Sequence, residues 1–266
     1  METLEEAKIS IPTETMEDIF SRLPIKSILR FRSLSKPWLL RLSSPSFTKL
    51  HSTRANRTFL FISAHDRSAR KQHLLSAGHH GGPVTHLITL DDLSCIIEAQ
   101  HLNGLVYLTC VKRQTQACTF VVNPSTRKIF NVPDPSSDVK DLYYPRIRYL
   151  FGFDESTNEH KILMIRDLSQ PSREIMIFSM SSYSWRKIHA QPPVGFSWDR
   201  LRFNTYQNVC VNSVVHLMLT ESESFDILAF DLRTEKFSII TTPQGVMPEI
   251  YHVALQDDPY IIKVNG

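Results

Sequence analysis

Glycine is scarce in this sequence, with 8 in 266 residues, and none of them builds a phosphate-cradling loop. Neither "HExxH" nor "GxSxG" occurs, which excludes the common zinc-protease and serine-hydrolase signatures. The four cysteines, Cys95, Cys110, Cys118 and Cys210, lack the paired spacing of zinc or redox motifs. They read as reduced thiols, as expected of a cytosolic or nuclear protein. No run of eighteen apolar residues is present, which excludes a helical membrane span. The opening "METLEEAKIS" is acidic and has no apolar core, so no secretory signal is expected. Acids are themselves missing from one region. Residues 21 to 73 carry twelve Lys or Arg against a single acid, Asp66, a local net charge of +11. The whole chain carries only +3, so the remainder carries −8. A basic front end points to an acidic partner, nucleic acid or protein; a solvated face without a partner explains the charge equally well.

What is present is ordinary globular composition: 42% hydrophobic, 10% aromatic and 21% charged residues. The length allows one large domain, or one domain plus a small module. The small module comes first. After "IPTE", Thr13 is a candidate helix cap, and Glu14, Glu17 and Asp18 suit the positive end of a helix dipole. Met16, Ile19, Phe20 and Leu23 follow at helical spacing. Pro24 opens a second helix with Ile25, Ile28, Leu29, Phe31 and Leu34 among Lys26, Arg30 and Arg32. Ser35 and Pro37 mark another break, and a third helix carries Trp38, Leu39, Leu40 and Leu42 before "SSPS" ends it. Three such short helices bury too little surface to be comfortably stable alone. Their apolar residues also exceed one inward stripe per helix, so either the helices pack on the rest of the chain or they leave a patch that another protein covers; the second is expected.

The residues Ile11-Pro12, Glu14, Ile19-Phe20, Arg22-Leu23-Pro24, Lys26-Ser27, Leu29-Arg30-Phe31-Arg32, Ser35-Lys36, Trp38, Pro45, Phe47 and His51 resemble the plant F-box. Two departures occur: Ile11 stands where leucine is commoner, and Pro37 intervenes between Lys36 and Trp38. The resemblance implies binding to an acidic Skp-type adaptor, and through it to a cullin-based ubiquitin ligase. It also implies an adaptor-binding set of Pro12, Ile19, Phe20, Leu23, Pro24, Ile25, Leu29, Phe31, Leu34 and Trp38, within a module at residues 5–52.

Beyond residue 55 the pattern turns to short β-branched and aromatic runs: "TFLFIS", "THLITL", "GLVYLTC", "CTFVVN", "KILMIRD", "EIMIFSM", "ILAFDL" and "KFSIITTP". Three strand–turn–strand units repeat, with Val122/Ile129, Phe178/Trp185 and Phe230/Phe237 recurring at intervals of 56 and 52 residues. Upstream of each lies a turn at Asn103-Gly104, Asn158 or Asn212-Ser213, again 55 and 54 residues apart. Two hairpins per period make four strands per repeat, the signature of a kelch-type β-propeller blade. "VVNPSTRKIFNVP", "FGFDESTNEHKI" and "FDLRTEKFSII" resemble the F-box-associated interaction region of plant F-box proteins. The expected fold is therefore α+β: a three-helix module, then an incomplete, truncated propeller over residues 55–266. One further period from Asn212 reaches Asn265-Gly266, so the chain is expected to stop within a started blade and leave an unpaired strand edge.

Other candidates for chemistry carry bland readings. His73, His79, His80 and His86 lack accompanying carboxylates or cysteines and read as a loop rather than a metal site. Asp91-Asp92, Asp154-Glu155 and Asp257-Asp258 read as turn residues that cap backbone groups. Trp185 and Phe237 hold repeat positions and read as core. Trp198 falls outside the repeat register and is a better candidate than these for a ligand-facing aromatic, but half-buried packing is its first reading.

The expected function is a non-enzymatic substrate receptor of a Skp–cullin–F-box ligase, cytoplasmic and/or nuclear. No cofactor, metal, nucleic acid or membrane is expected, and the target protein is unidentified. The competing reading is a basic helical nucleic-acid reader fused to a β interaction domain. Its second helix offers no Asn or Gln for base edges.

Overall fold

The computed structural model describes residues 11–54, 58–66, 68–78, 81–91, 93–112, 116–135, 147–167, 173–194, 196, 198, 208–220, 225–241 and 260–265. Four helices open it: α1 (Thr13–Ser21), α2 (Ile25–Arg32), α3 (Lys36–Leu42) and α4 (Pro45–Arg54). The fourth was not expected. "SSPS" does end α3, but its Pro45 is also the first residue of a new helix, where a missing N–H costs nothing. Thr13 does not cap α1. It is the first helical residue, preceded by Pro12, and no side-chain cap bond forms.

Among the described residues sixteen strands follow, in four antiparallel four-stranded sheets. The second blade is β4 (Leu93–Leu102), β5 (Leu105–Lys112), β6 (Gln116–Asn123) and β7 (Lys128–Val132). The third is β8 (Ile147–Asp154), β9 (Glu159–Asp167), β10 (Arg173–Ser179) and β11 (Ser184–Ile188). The fourth is β12 (Asn208–Val211), β13 (Val214–Thr220), β14 (Phe225–Asp231) and β15 (Lys236–Ile240). The first blade contains β1 (Thr58–Asp66), β2 (Lys71–Gly78) and β3 (Thr85–Asp91), and borrows β16 (Tyr260–Asn265) as its fourth strand. The expectation of an unpaired terminal edge is thereby overturned. β16 starts no further blade; it pairs with β1 from Thr58↔Asn265 to Ser63↔Tyr260. The first strands of the sheets succeed one another, β16 beside β4, β4 beside β8 and β8 beside β12.

The repeat turns have two geometries. Asn103-Gly104 and Asn212-Ser213 are two-residue turns with both φ angles positive: 47° and 80°, then 50° and 65°. Asn158 instead ends a four-residue turn, as do Arg127, Tyr183 and Glu235, all with φ between 53° and 59°. An Asx side chain at the start of three of these turns offsets that conformation. Asn123 Oδ1 accepts the Thr126 N–H at 3.0 Å, Asp154 Oδ1 the Ser156 N–H at 2.9 Å, and Asp231 Oδ1 the Arg233 N–H at 2.8 Å. The reading of Asp154 as a turn-capping acid holds. Asp91 pairs with Lys71 at 3.7 Å, whereas Asp92, Asp257 and Asp258 lie outside the described residues.

Strand alternation gives every blade two apolar faces, and the core consists of three layers between blades. Phe61, Leu74 and Leu90 of the first blade meet Val106, Leu108 and Val122 of the second. Tyr107 and Val121 of the second meet Tyr149, Phe151, Met164 and Phe178 of the third. Leu150, Leu163, Ile177 and Ile188 of the third meet Val215, Leu217, Phe230 and Phe237 of the fourth. Polar contacts seal the same seams. Trp185 Nε1 donates to the Pro133 carbonyl at 2.7 Å, and Arg186 forms an ion pair with Glu235. Burial holds the His160 imidazole below its usual range, and its neutral Nε2–H donates to the Leu102 carbonyl at 3.1 Å.

Between the third and fourth blades, Lys161 Nζ donates to Asp154 Oδ2 at 2.6 Å, with both groups buried. Burial pushes the Asp154 carboxyl up, but Lys161 and the Ser156 hydroxyl outweigh it and hold the group well below the carboxylate range. A depressed carboxyl stabilises the fold above its unfolded pKa, and that contribution disappears as pH falls through the folded value. Asp154→Asn should therefore lose less unfolding free energy than the parent chain as pH falls from about 5 to about 2 in urea titrations. Gly152 lies in the same seam. A Cβ there would stand 2.6 Å from Leu232 Cδ1 and 2.8 Å from Val215 Cγ2. Gly152→Ala is expected to destabilise the protein by about 1–3 kcal/mol, read from the urea midpoint.

Candidate interaction face of the helical module

The four helices enclose a core of their own: Phe20, Ile28, Leu42 and Phe47, with Met16, Leu23, Ile25, Phe31 and Trp38 packed around it. Phe20 is central, its ring 4.8 Å from both Phe31 and Trp38. Helix α4 closes the unit from below α1. His51 Nε2 lies 3.1 Å from the Leu23 carbonyl, and Arg54 reaches both Asp18 and the Ser21 hydroxyl. Arg22 and Arg54 bond the Asp18 carboxylate and hold it below its usual range.

This arrangement divides the ten residues of the expected adaptor-binding set. Phe20 is buried within the module and offers no surface to a partner, which corrects its assignment. Leu23, Ile25, Phe31 and Trp38 are half-buried, each with one side in the core. Pro12, Ile19, Pro24, Leu29 and Leu34 are exposed. Three further apolar residues, Ile11, Leu39 and Leu40, are exposed and were not in the set. Leu40 is the extreme case at 74%, with Leu34 at 69%, values unusual for leucines on a helical unit this small. The signal for Leu39 and Leu40 was in the helix period. Trp38 and Leu42 are one turn apart and face inward, so residues 39 and 40 between them point away.

A cleft of about 440 Å³ opens between the start of α1 and α3, lined by Ile11, Thr13, Met16, Ser35, Pro37, Trp38 and Arg41. Arg30, Lys36 and Arg41 are exposed around the apolar side chains; the Lys26 side chain is outside the described residues. α2 carries exposed Leu29 and Arg30, and α3 exposed Lys36, Leu39, Leu40 and Arg41, so apolar and basic side chains share the surface of both helices.

The remaining candidates resolve into structure. His73 Nδ1 and His86 Nε2 lie 3.0 and 2.8 Å from the same Thr89 hydroxyl, and His79 and His80 are outside the described residues. Among the described residues no group of three or more His, Cys, Asp or Glu is placed to hold a metal ion. Trp198 takes the packing alternative. Its ring stands edge-on to Phe196 at 5.2 Å and to Phe237 at 5.6 Å, with the Arg173 guanidinium 5.5 Å above it. Cys110, Cys118 and Cys210 form no disulfide, while the Cys95 side chain is outside the described residues.

With this geometry established, comparison with known proteins assigns the family. The F-box domain model matches residues 9–50, and that of the F-box associated beta propeller domain matches residues 49–257. The chain belongs to the family of the F-box associated beta propeller domain, headed by an F-box as in plant F-box proteins. Among its relatives, F-box protein CPR1 of Arabidopsis thaliana is 25% identical over 269 residues, covering 89% of this chain and 61% of the relative. F-box protein At5g65850 of Arabidopsis thaliana is 28% identical over 272 residues, 98% of this chain and 62% of the relative. The chain thus spans about 60% of the length of the curated relatives it matches. Solved propellers are more distant: the β-propeller domain of the Trilobed protease from Pyrococcus furiosus gives a TM-score of 0.38 at 7% identity, over 70% of this chain and 54% of that one.

Core and surface roles separate experimentally. Phe20→Ala should cost about 3–5 kcal/mol of stability by opening the aromatic core. Leu40→Asp should leave stability within about 0.5 kcal/mol of the parent, measured by urea unfolding.

Proposed function

We propose that this chain is the substrate-recognition subunit of a Skp–cullin–F-box ubiquitin ligase. The module at residues 5–52 binds a Skp-type adaptor, and the β region over residues 55–266 holds a target protein. The observation that carries the reading is the exposed leucine group, Leu29, Leu34, Leu39 and Leu40, on a helical unit whose own core is already filled by other residues. Family membership and the F-box match support it. A few central apolar side chains usually supply most of the energy of such an interface. Arg30, Lys36 and Arg41 around them steer and orient an acidic adaptor more than they hold it. The protein performs no catalysis in this role; ubiquitin transfer belongs to other subunits. Reduced thiols suit the cytoplasmic or nuclear setting in which such a ligase works.

The structure refines the choice of test. Trp38→Ala would remove a core side chain together with a surface one, so loss of binding would be ambiguous. Leu34→Asp combined with Leu40→Asp changes only exposed positions. That double variant should weaken adaptor capture at least about 100-fold in a titration, with the unfolding transition unchanged. Capture at parental strength would place the adaptor elsewhere on the chain.

A further inference from the structure

We infer that Ser35 is a phosphorylation site for an arginine-directed protein kinase, and that a phosphate on it weakens capture of the adaptor. The second half rests on the adaptor reading above. The run Arg30-Phe31-Arg32-Ser33-Leu34-Ser35 places arginines three and five residues before a serine. A kinase with acidic substrate pockets reads such a pair, because a carboxylate can hold each guanidinium in a bidentate bond. Among the described residues no other serine or threonine has arginines at both positions; Thr205 has them in Arg200 and Arg202, and lies outside those residues.

The structure leaves the three side chains within reach. Ser35 is exposed in the link between α2 and α3, its backbone extended at φ −160° and ψ 156°, and its hydroxyl makes no cap bond. The neighbouring serines that follow an arginine by three residues are engaged instead. Ser33 Oγ donates to the Arg30 carbonyl at 2.6 Å, and Ser44 Oγ accepts the Phe47 N–H at 3.2 Å. Arg30 is exposed and Arg32 half-buried. Among the described residues neither is in an ion pair, unlike Arg22, Arg41 and Arg54. Both lie in the last turn of α2, which opens to present an extended segment once two bonds break: Ser33 N–H to the Arg30 carbonyl and Leu34 N–H to the Phe31 carbonyl. Fraying of a terminal turn is among the least costly local openings.

In the transfer, Ser35 Oγ attacks the γ-phosphorus of ATP. The Oγ–P bond forms as the bond to the β–γ bridging oxygen breaks, ADP leaves with that electron pair, and the hydroxyl proton passes to a carboxylate of the kinase. The product adds a charge of about −2 at pH 7. It stands next in sequence to Leu34, 69% exposed, and in the cleft that Trp38 and Arg41 also line. An acidic adaptor seated on Leu34 and Leu40 meets that charge as like against like.

Treating the full chain with ATP and the catalytic domain of a kinase that selects arginine at these two positions, then mapping phosphopeptides by mass spectrometry, tests the site. Ser35 should be phosphorylated almost completely. Ser35→Ala should abolish that label, and Arg30→Ala combined with Arg32→Ala should slow it at least about 10-fold. The phosphorylated chain should bind the adaptor at least about 10-fold more weakly than the unmodified chain, whereas kinase-treated Ser35→Ala should bind at parental strength. No phosphate at Ser35, including label confined to Ser33, Ser44 or Thr205, overturns the inference. So does phosphate at Ser35 that leaves adaptor capture unchanged. Failure of the unmodified chain to capture the adaptor sinks the adaptor reading and the second half with it, while the peptide map decides the site independently.

Discussion

A four-stranded sheet that is apolar on both faces cannot stand in water, and the β region is organised by that constraint. Each blade must be covered on two sides, and a repeated sequence meets the demand by supplying the next copy of itself one period later. The seams bear this out in their spacing. Trp185 bonds the Pro133 carbonyl, Arg186 pairs with Glu235 and His160 reaches Leu102, each linking one blade to its neighbour. Gly152 shows how close the approach becomes, since no side chain fits between β8 and the fourth blade there. The buried Lys161–Asp154 pair occupies the same seam, where loss of either partner leaves a charge without compensation.

The helical module solves the opposite problem. It is too small to bury all its apolar residues, so it divides them. Phe20, Ile28, Leu42 and Phe47 hold four short helices together, and Leu34, Leu39 and Leu40 remain at the surface. The first group makes the module rigid; the second is left exposed to solvent. Because α4 ties back to α1 through Arg54 and to the turn after it through His51, the exposed leucines are displayed on a fixed frame.

Much of this was legible in the sequence, for identifiable reasons. Asparagine-containing turns at a fixed period located the hairpins, and each of the eight β-branched or aromatic runs overlaps a strand, four of them overrunning its end. What escaped was of two kinds. Local signals misled where proline has two meanings: Pro45 reads as a terminator but begins α4. Long-range pairing left no local trace, since nothing within "YIIKVNG" reveals that β1 is its neighbour. For the candidate site, the helical spacing of apolar residues marked out the helices but could not sort inward from outward residues. Phe20 and Leu40 are both apolar helix residues; only the packing of α1 on α2, α3 and α4 makes one core and the other surface.

The pairing of β16 with β1 also bears on how the chain acquires its shape during synthesis. The second, third and fourth blades are each made of contiguous sequence, so each can assemble as it leaves the ribosome. The first blade is the earliest β element to emerge and the last to be complete, because its fourth strand is translated some two hundred residues later. Until then the open side of β1 is an unsatisfied strand edge, attractive to any extended segment nearby. Closing a loop of that length carries a large entropic cost that only the finished contact repays, so the oldest part of the sheet array is the youngest part of the fold.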